Sequence, residues 1–426
     1  VLAPEGMAST SNPLSTQTAV SILQKGGNAM DAAIAACAVQ SVVEPQSTSI
    51  GGDCFCLYSE GGSDKIIAMN GSGRAPLGLS ADWLLERHIT EIKQQSPHSV
   101  TVPTAVDAWT QLNRDFGVKP LSDLLQPAIG YAFDGFPIGH RVAADFAECY
   151  DLLAGDADIA AVYLNNGKSF KYGERCRNPN LAKTLETIAE HGRNGFYKGW
   201  VAEDMLEKLR SLGGVHTQDD LDAAVADYVS PIKSSFRGYD IWECPPNGQG
   251  VIALMLLNIM SGIDKFGDHP ISVDRIHHEI EAGRIAYRDR NLYLADPEFS
   301  NVPVEKMLSE KYAAAVRGQI DPDKAHSDLP PSTLPPHKNT VYITVVDKDR
   351  NACSFINTVF HSFGAGLLTP NSGIVLQCRG QGFVVKADHP NCIAPGKRPL
   401  HTIIPGMATK DGKTVMSFGV MGGEYQ

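Results

Sequence analysis

Thr340, Arg379 and the pair Gly422-Gly423 are the residues of this chain whose types suit acyl-transfer chemistry. Thr340 stands in PPHKNTVYITVV, where a proline-rich stretch gives way at Asn339 to a strand-like pattern. A threonine hydroxyl is a weak nucleophile unless a base lies within hydrogen-bond reach. Opening the Asn339–Thr340 bond would give Thr340 a free α-amine on its own Cα. Such an amine has a reference pKa of about 7.7–8.0, against roughly 10.4 for lysine, so part of it is neutral near pH 7. It can then act as the base, as in terminal-threonine versions of the catalytic triad. An intact chain has an amide there and cannot do this, so cleavage would be activation. Alone, a threonine at the head of a strand is ordinary, because β-branched residues favour strands. Three features change its weight: the tether can be released without opening a core, the strand behind it would hold a new terminus rigidly, and VMGGEY downstream supplies glycine backbone of the kind that lines an oxyanion hole.

These residues need a frame, and the pattern along the chain predicts one. Thr16 to Lys25 reads as a helix stopped by Gly26-Gly27, and Asn28 caps a second, nearly uncharged helix running to Val43. Strands CFCLYS and KIIAMN follow. Leu112 to Phe133 and Pro179 to Leu212 read as mostly helical, Arg237 to Cys244 as a strand and Gly250 to Met260 as a helix. Residues 272–293 form a helix with Ile276, Ile280, Gly283 and Tyr287 recurring on one face. From Arg317 to Lys338 periodicity is lost and five prolines appear, which suits an extended tether. Beyond it, Thr340–Val346 and Ala352–Val359 flank one hairpin turn, and Thr402–Thr409 and Thr414–Val420 flank another at Asp411-Gly412. Helices early and strands late predict a layered α+β fold.

The chain has 426 residues, 43% of them hydrophobic and 20% charged, which is a globular composition. A formal charge of −11 argues against a nucleic-acid partner, and means that an anionic substrate must be drawn in by locally placed arginines. The nine cysteines show no regular spacing, which points to reduced thiols and a cytoplasmic setting. Cys54 and Cys56 share one strand face, but nothing nearby completes a zinc set, so no metal or other cofactor is expected. No apolar run reaches the roughly 18 residues of a membrane span. Val1, not methionine, stands first, so a removed leader stays open. Gly412-Lys413-Thr414 lacks the first glycine of a phosphate loop, and His277-His278-Glu279 lacks metalloprotease order.

With these residues in place the chain resembles the γ-glutamyltransferase family of N-terminal-nucleophile hydrolases. The likeness runs through nearly all of it, in ILQKGGNAMDAAIAACAVQSVVEPQSTSIGGDCF, DYVSPIKSSFRGYDIWECPPNGQG, IEAGRIAYRDRNLYLADP, NTVYITVVDKDRNA and GKRPLHTIIP. The resemblance implies a four-layer αββα sandwich, self-cleavage before Thr340, and amide hydrolysis or acyl transfer through a threonyl ester. Residues 1–339 would form a large subunit ending in the tether 317–338. Residues 340–426 would form a small subunit, whose completing strands are expected either beyond Gln426 or in another chain; the two together make one domain. Thr340 matches the nucleophile, Asn357 looks like the family asparagine near the scissile group, and Gly422-Gly423 look like the oxyanion-hole glycines. The bland alternatives are a buried polar residue for Asn357 and a tight turn for the glycines. A homodimer or tetramer of processed units is the assembly the resemblance suggests.

Departures from the family pattern bear on the substrate. The arginine expected before Ala-Pro aligns with Ser72, and Arg74 follows two places later. In QCRGQGF the aspartate expected to meet a substrate ammonium becomes Gly382, and a glutamine becomes Arg379. The serine pair after the Lys-Arg-Pro-Leu block becomes His401-Thr402. Losing an acid and gaining a base favours an anion over an amino group, and arginine matches a carboxylate bidentately. Arg379, Arg74, His401 and Thr402 are the candidate substrate contacts, with His401 either a donor to the substrate or the filler of a polar gap, and the charge pattern predicts a small carboxylate-bearing amide with no α-amine near it. The arginine of QCRG, the HPN segment and the MGG ending are similar to the family branch containing oxamate amidohydrolase, and that resemblance implies oxamate as the substrate. Alternatives are a γ-glutamyl hydrolase or transferase, an acylase for larger amides, an uncleaved scaffold, and an Arg379 that merely pairs with an acid such as Asp388.

Overall fold

The computed structural model describes residues 2–263, 269, 271–327 and 340–422. Its strands used here are β1 (Gly6–Ser9), β2 (Asp53–Ser59), β3 (Ile66–Gly71), β4 (Asp227–Val229), β5 (Ile232–Phe236), β6 (Tyr239–Glu243), β7 (Val341–Asp347), β8 (Ala352–Thr358), β9 (Gly406–Lys410) and β10 (Lys413–Phe418). They form a six-stranded sheet in the order β1-β7-β8-β2-β3-β4 and a four-stranded sheet in the order β10-β9-β6-β5. Strand alternation divides each sheet between two cores. From the first sheet, Ile343, Val345, Cys353 and Phe355 join a core with the helices α1 (Pro13–Gln24), α2 (Ala29–Val43), α3 (Ala105–Phe116), α4 (Leu121–Asp134) and α5 (Pro179–His191). The opposite face sends Phe55, Leu57 and Ile356 against Cys244, Ile403 and Met407 between the sheets. The second sheet's outer face packs Ile241 and Ala408 on α6 (Gly250–Ser261), behind which lie α7 (Val273–Tyr293) and α8 (Glu310–Arg317). The order is helix, sheet, sheet, helix, the expected αββα sandwich.

Local chemistry explains the inner layer. Asn28 and Asp31 form a reciprocal capping box at the start of α2, and all fifteen residues of that helix are buried. Its alanines let α1 and α4 approach closely. At Gly52 an added Cβ would lie 2.1 Å from the Thr358 carbonyl oxygen, so only glycine lets β2 enter beside the end of β8. All nine cysteines are free thiols.

The stretch Leu112–Phe133 is mostly helical as expected, in two helices that Gly117 and Pro120 separate between Phe116 and Leu121. Two expectations change. On α7 the buried face is Glu281, Ala282, Ile285, Ala286, Asp289 and Arg290, whereas Ile276 and Ile280 are exposed. That helix docks through small residues and polar bonds, such as Tyr312 Oη to Asp289 at 2.6 Å, so its packed face is not its most apolar one. Arg317, the expected head of the tether, is the last residue of α8; residues 328–338 lie outside the described residues.

Candidate active site

Thr340 precedes the first residue of β7 and is buried. Val341 pairs with Asn357 across β7 and β8, and Thr358 pairs with Asp53 across β8 and β2. Extending that register by one residue sets Thr340, Thr358 and Asp53 in a row over three neighbouring strands, all facing the layer between the sheets. Thr340 Oγ1 and Thr358 Oγ1 are 3.2 Å apart, and either hydroxyl can donate. Thr358 Oγ1 also accepts from the Phe360 backbone N–H at 3.0 Å, which fixes its rotamer.

Phe360 begins the second part of the site. The Arg379 guanidinium lies 3.9 Å from its ring centroid, at the start of the single turn Arg379–Gly382. Arg379 is fully buried, and its Nη1 donates to Thr402 Oγ1 at 3.1 Å. Nε and Nη2, the two donors along one edge of the guanidinium, have no protein acceptor among the described residues. Burial lowers the Arg379 pKa to about 10, offset by the field of Asp53, so the side chain stays cationic near neutrality. No carboxylate pairs with it directly among the described residues, Asp388 included.

Asp53 is held in place by three N–H donors. Its Oδ1 accepts from Gly73 N and Gln377 Nε2, each at 2.8 Å, and its Oδ2 receives His401 Nε2 at 3.0 Å. The Ile403 backbone N–H points at His401 Nδ1 from 3.4 Å, which leaves Nε2 as the protonated nitrogen of a neutral ring. Burial, with the Arg379 field second, pushes the His401 pKa down to about 4. Phe55 packs on the ring with centroids 4.7 Å apart.

The structure thus brings Thr340, Arg379, His401 and Thr402 around one interior region and leaves other expected contacts apart. Asn357 faces the helix-side core: its Nδ2 donates to Thr48 Oγ1 (2.8 Å) and Ser49 O (3.0 Å), and its Oδ1 accepts from Trp109 Nε1 (3.3 Å). Strand alternation therefore turns it away from the Thr340 side. Arg74 is engaged bidentately by Glu298, at 2.9 Å for both contacts, and also donates to Gly396 O. Gly422 lies beyond β10 with φ of 122°; Gly423 and Asn339 lie outside the described residues. Thr358, Phe360 and Asp53 were missed by sequence reasoning. The signal for Asp53 was an acid heading an otherwise apolar strand. No group of three or more metal-ligating side chains forms a metal site among the described residues.

A buried hydroxyl at the head of an inner strand of an αββα sandwich defines the N-terminal-nucleophile hydrolase class. A family model described as gamma-glutamyltranspeptidase matches residues 15–426, and the chain belongs to that family. It is 34% identical over 426 residues to the glutathione hydrolase-like YwrD proenzyme of Bacillus subtilis, covering 100% of this chain and 80% of that one. It is 33% identical over 427 residues to the oxamate amidohydrolase proenzyme of Klebsiella pneumoniae, covering 99% and 79%. Among solved structures, cephalosporin acylase from Bacillus halodurans superposes with a TM-score of 0.93 at 38% identity, covering 99% of this chain and 78% of that one. The chain is an enzyme of a family of hydrolases and acyltransferases, and the Bacillus subtilis and Klebsiella pneumoniae relatives are both named as proenzymes.

Proposed function

We propose that this enzyme hydrolyses a small amide bearing a carboxylate, oxamate being the type compound, through an ester on Thr340. The observation that carries the reading is the buried Arg379, whose Nε–Nη2 edge has no protein acceptor among the described residues. Two parallel N–H donors in a dry site match a carboxylate bidentately. Leaving such donors unsatisfied is costly unless a ligand uses them.

The chemistry begins with the precursor. The Thr340 hydroxyl attacks the Asn339 carbonyl carbon, the acyl group moves from nitrogen to oxygen, and water cleaves the resulting ester. Asn339 leaves as a carboxylate and Thr340 gains its amine. In the mature enzyme that amine takes the hydroxyl proton as Oγ1 attacks the substrate amide. Gly422 and Gly423 backbone N–H groups are proposed to hold the oxyanion, worth roughly 2.7–4 kcal/mol per donor in related chemistry. The amide nitrogen departs with a proton as ammonia, and water then releases the acid. Thr358 Oγ1, 3.2 Å from Thr340 Oγ1, orients the attacking hydroxyl in both steps. The proposed site lies at the junction of the two subunits that cleavage would create.

A second reading is hydrolysis or transfer of γ-glutamyl groups, favoured by relatives named glutathione hydrolases at similar identity. Among the described residues Asp53 is an acid of this region that could meet a substrate ammonium, but three protein donors already engage it. Assaying purified enzyme against oxamate and γ-glutamyl-p-nitroanilide separates the two. Turnover of oxamate supports the first reading; turnover of the anilide with oxamate untouched overturns it.

A further inference from the structure

Asp53 is a carboxylate 0% exposed, in the field of a fully buried arginine, yet not bonded to it. Its Oδ1 is tied to Gly73 and Gln377 and its Oδ2 to His401, so it cannot swing across to close the Nε–Nη2 edge of Arg379. Gly73 is adapted to this contact: a Cβ there would come within 2.1 Å of the Val102 carbonyl oxygen and 3.0 Å of Asp53 Oδ1. With His401 neutral, the Asp53 carboxylate and the Arg379 guanidinium are opposite charges that offset each other.

That balance matters because of what the reaction does to charge. Hydrolysis of a carboxylate-bearing amide adds water, breaks the C–N bond, and yields a second carboxylate plus ammonia, which leaves as ammonium. The substrate is a monoanion and the acid product a dianion. A buried arginine with no counter-charge would hold the dianion more tightly than the substrate and slow its release. We propose that Asp53 is a specificity-determining positioning residue: as a tethered counter-charge it lets Arg379 accept one carboxylate and penalises the second. This inference rests on the reading of Arg379 as the carboxylate receptor.

The test compares inhibition by glycolate, a monoanion, with inhibition by oxalate, a dianion of similar size, in the processed wild type and in Asp53→Asn. The wild type is expected to bind oxalate no more tightly than glycolate. Asn can keep the contacts to Gly73 and Gln377 while removing the charge, so oxalate should tighten on the order of tenfold and glycolate clearly less. A merely structural Asp53 would lower kcat or stability, or weaken both anions together, without changing their ratio. An unchanged ratio in Asp53→Asn overturns the inference and leaves the proposed activity standing. Should the variant not process, the wild type decides alone: oxalate bound tenfold more tightly than glycolate overturns it. Inhibition by neither anion in the wild type overturns the reading of Arg379 itself, and this inference with it.

Discussion

Thr340 Oγ1 sits 3.2 Å from Thr358 Oγ1, on the neighbouring strand β8, and Thr358 Oγ1 is itself fixed by the Phe360 backbone N–H. That contact helps to orient the proposed nucleophile, and Phe360, whose N–H anchors Thr358, also floors the Arg379 guanidinium. The proposed nucleophile and the proposed anion receptor are thus linked through the short stretch of chain that follows β8. Thr358→Val, which keeps the β-branched shape but removes the hydroxyl, is expected to slow both self-cleavage and turnover by about 10–100-fold, since small misplacements of a nucleophile cost on that order. Thr358→Ser should retain most of both rates. Gel densitometry over time and steady-state kinetics on the cleaved fraction check this; a Val variant with wild-type rates removes Thr358 from the account.

Arg379 opposes function to stability. It is a buried cation with two donors lacking protein acceptors among the described residues, and burial already lowers its pKa to about 10. Arg379→Met should raise the melting temperature, by the equivalent of about 1–3 kcal/mol, because the cost of unsatisfied buried donors disappears. The same change should raise KM for carboxylate-bearing amides at least a hundredfold. Calorimetry and kinetics on one preparation test both halves. Lower stability in the variant would mean that Arg379 holds the fold together.

Gly382 separates the two functional readings. A Cβ there would lie 4.0 Å from Arg379 Cδ and 3.3 Å from the Leu400 carbonyl oxygen, so Gly382→Asp places an acid beside the arginine at modest steric cost. The expected outcome is a loss of oxamate turnover of tenfold or more, as the new carboxylate competes for the Nε–Nη2 edge. A gain of γ-glutamyl activity with oxamate turnover intact would favour the glutathione-type reading.

Two buried histidines, His216 and His401, and the half-buried His361 weigh on the acid side of stability. Burial is the largest cause in His216, His361 and His401, and each pKa falls to about 4. The unfolded chain, with histidine near 6.5, binds protons that the folded chain refuses between those values. Folding stability is therefore fully present above about pH 6.5 and declines as pH falls toward 4, by up to about 3 kcal/mol per histidine. His216→Gln, placed where Nε2 now contacts the Val100 carbonyl at 2.8 Å, should flatten the melting-temperature slope between pH 6.5 and 4.5. An unchanged slope would show that His216 carries none of it.

The layers of the fold were legible because they depend on local patterning. Asn28, Gly26-Gly27 and the uncharged alanine run announced α1 and α2, and the Asp411-Gly412 turn announced the β9–β10 hairpin. The αββα order itself came through the resemblance, since no local pattern says how two sheets face each other. Of the site, Arg379 and Thr402 stood out as departures from a family pattern, and they do meet. Asn357 was expected near the scissile bond, yet its strand parity sends it to the opposite core, and parity at the end of a strand is set by register. Thr358 was one residue away and carried no distinguishing chemistry of its own. Asp53 and His401 are 348 residues apart in sequence and meet only across the layer between the sheets, a contact no spacing rule reaches.

Everything turns on a new terminus at Thr340. Intact-mass and N-terminal peptide analysis of the purified protein should find two pieces, one beginning TVYITVV, while Thr340→Ala should run as one uncut chain. A wild-type protein that remains one active chain, or that is cut at another bond, contradicts the proposed catalyst.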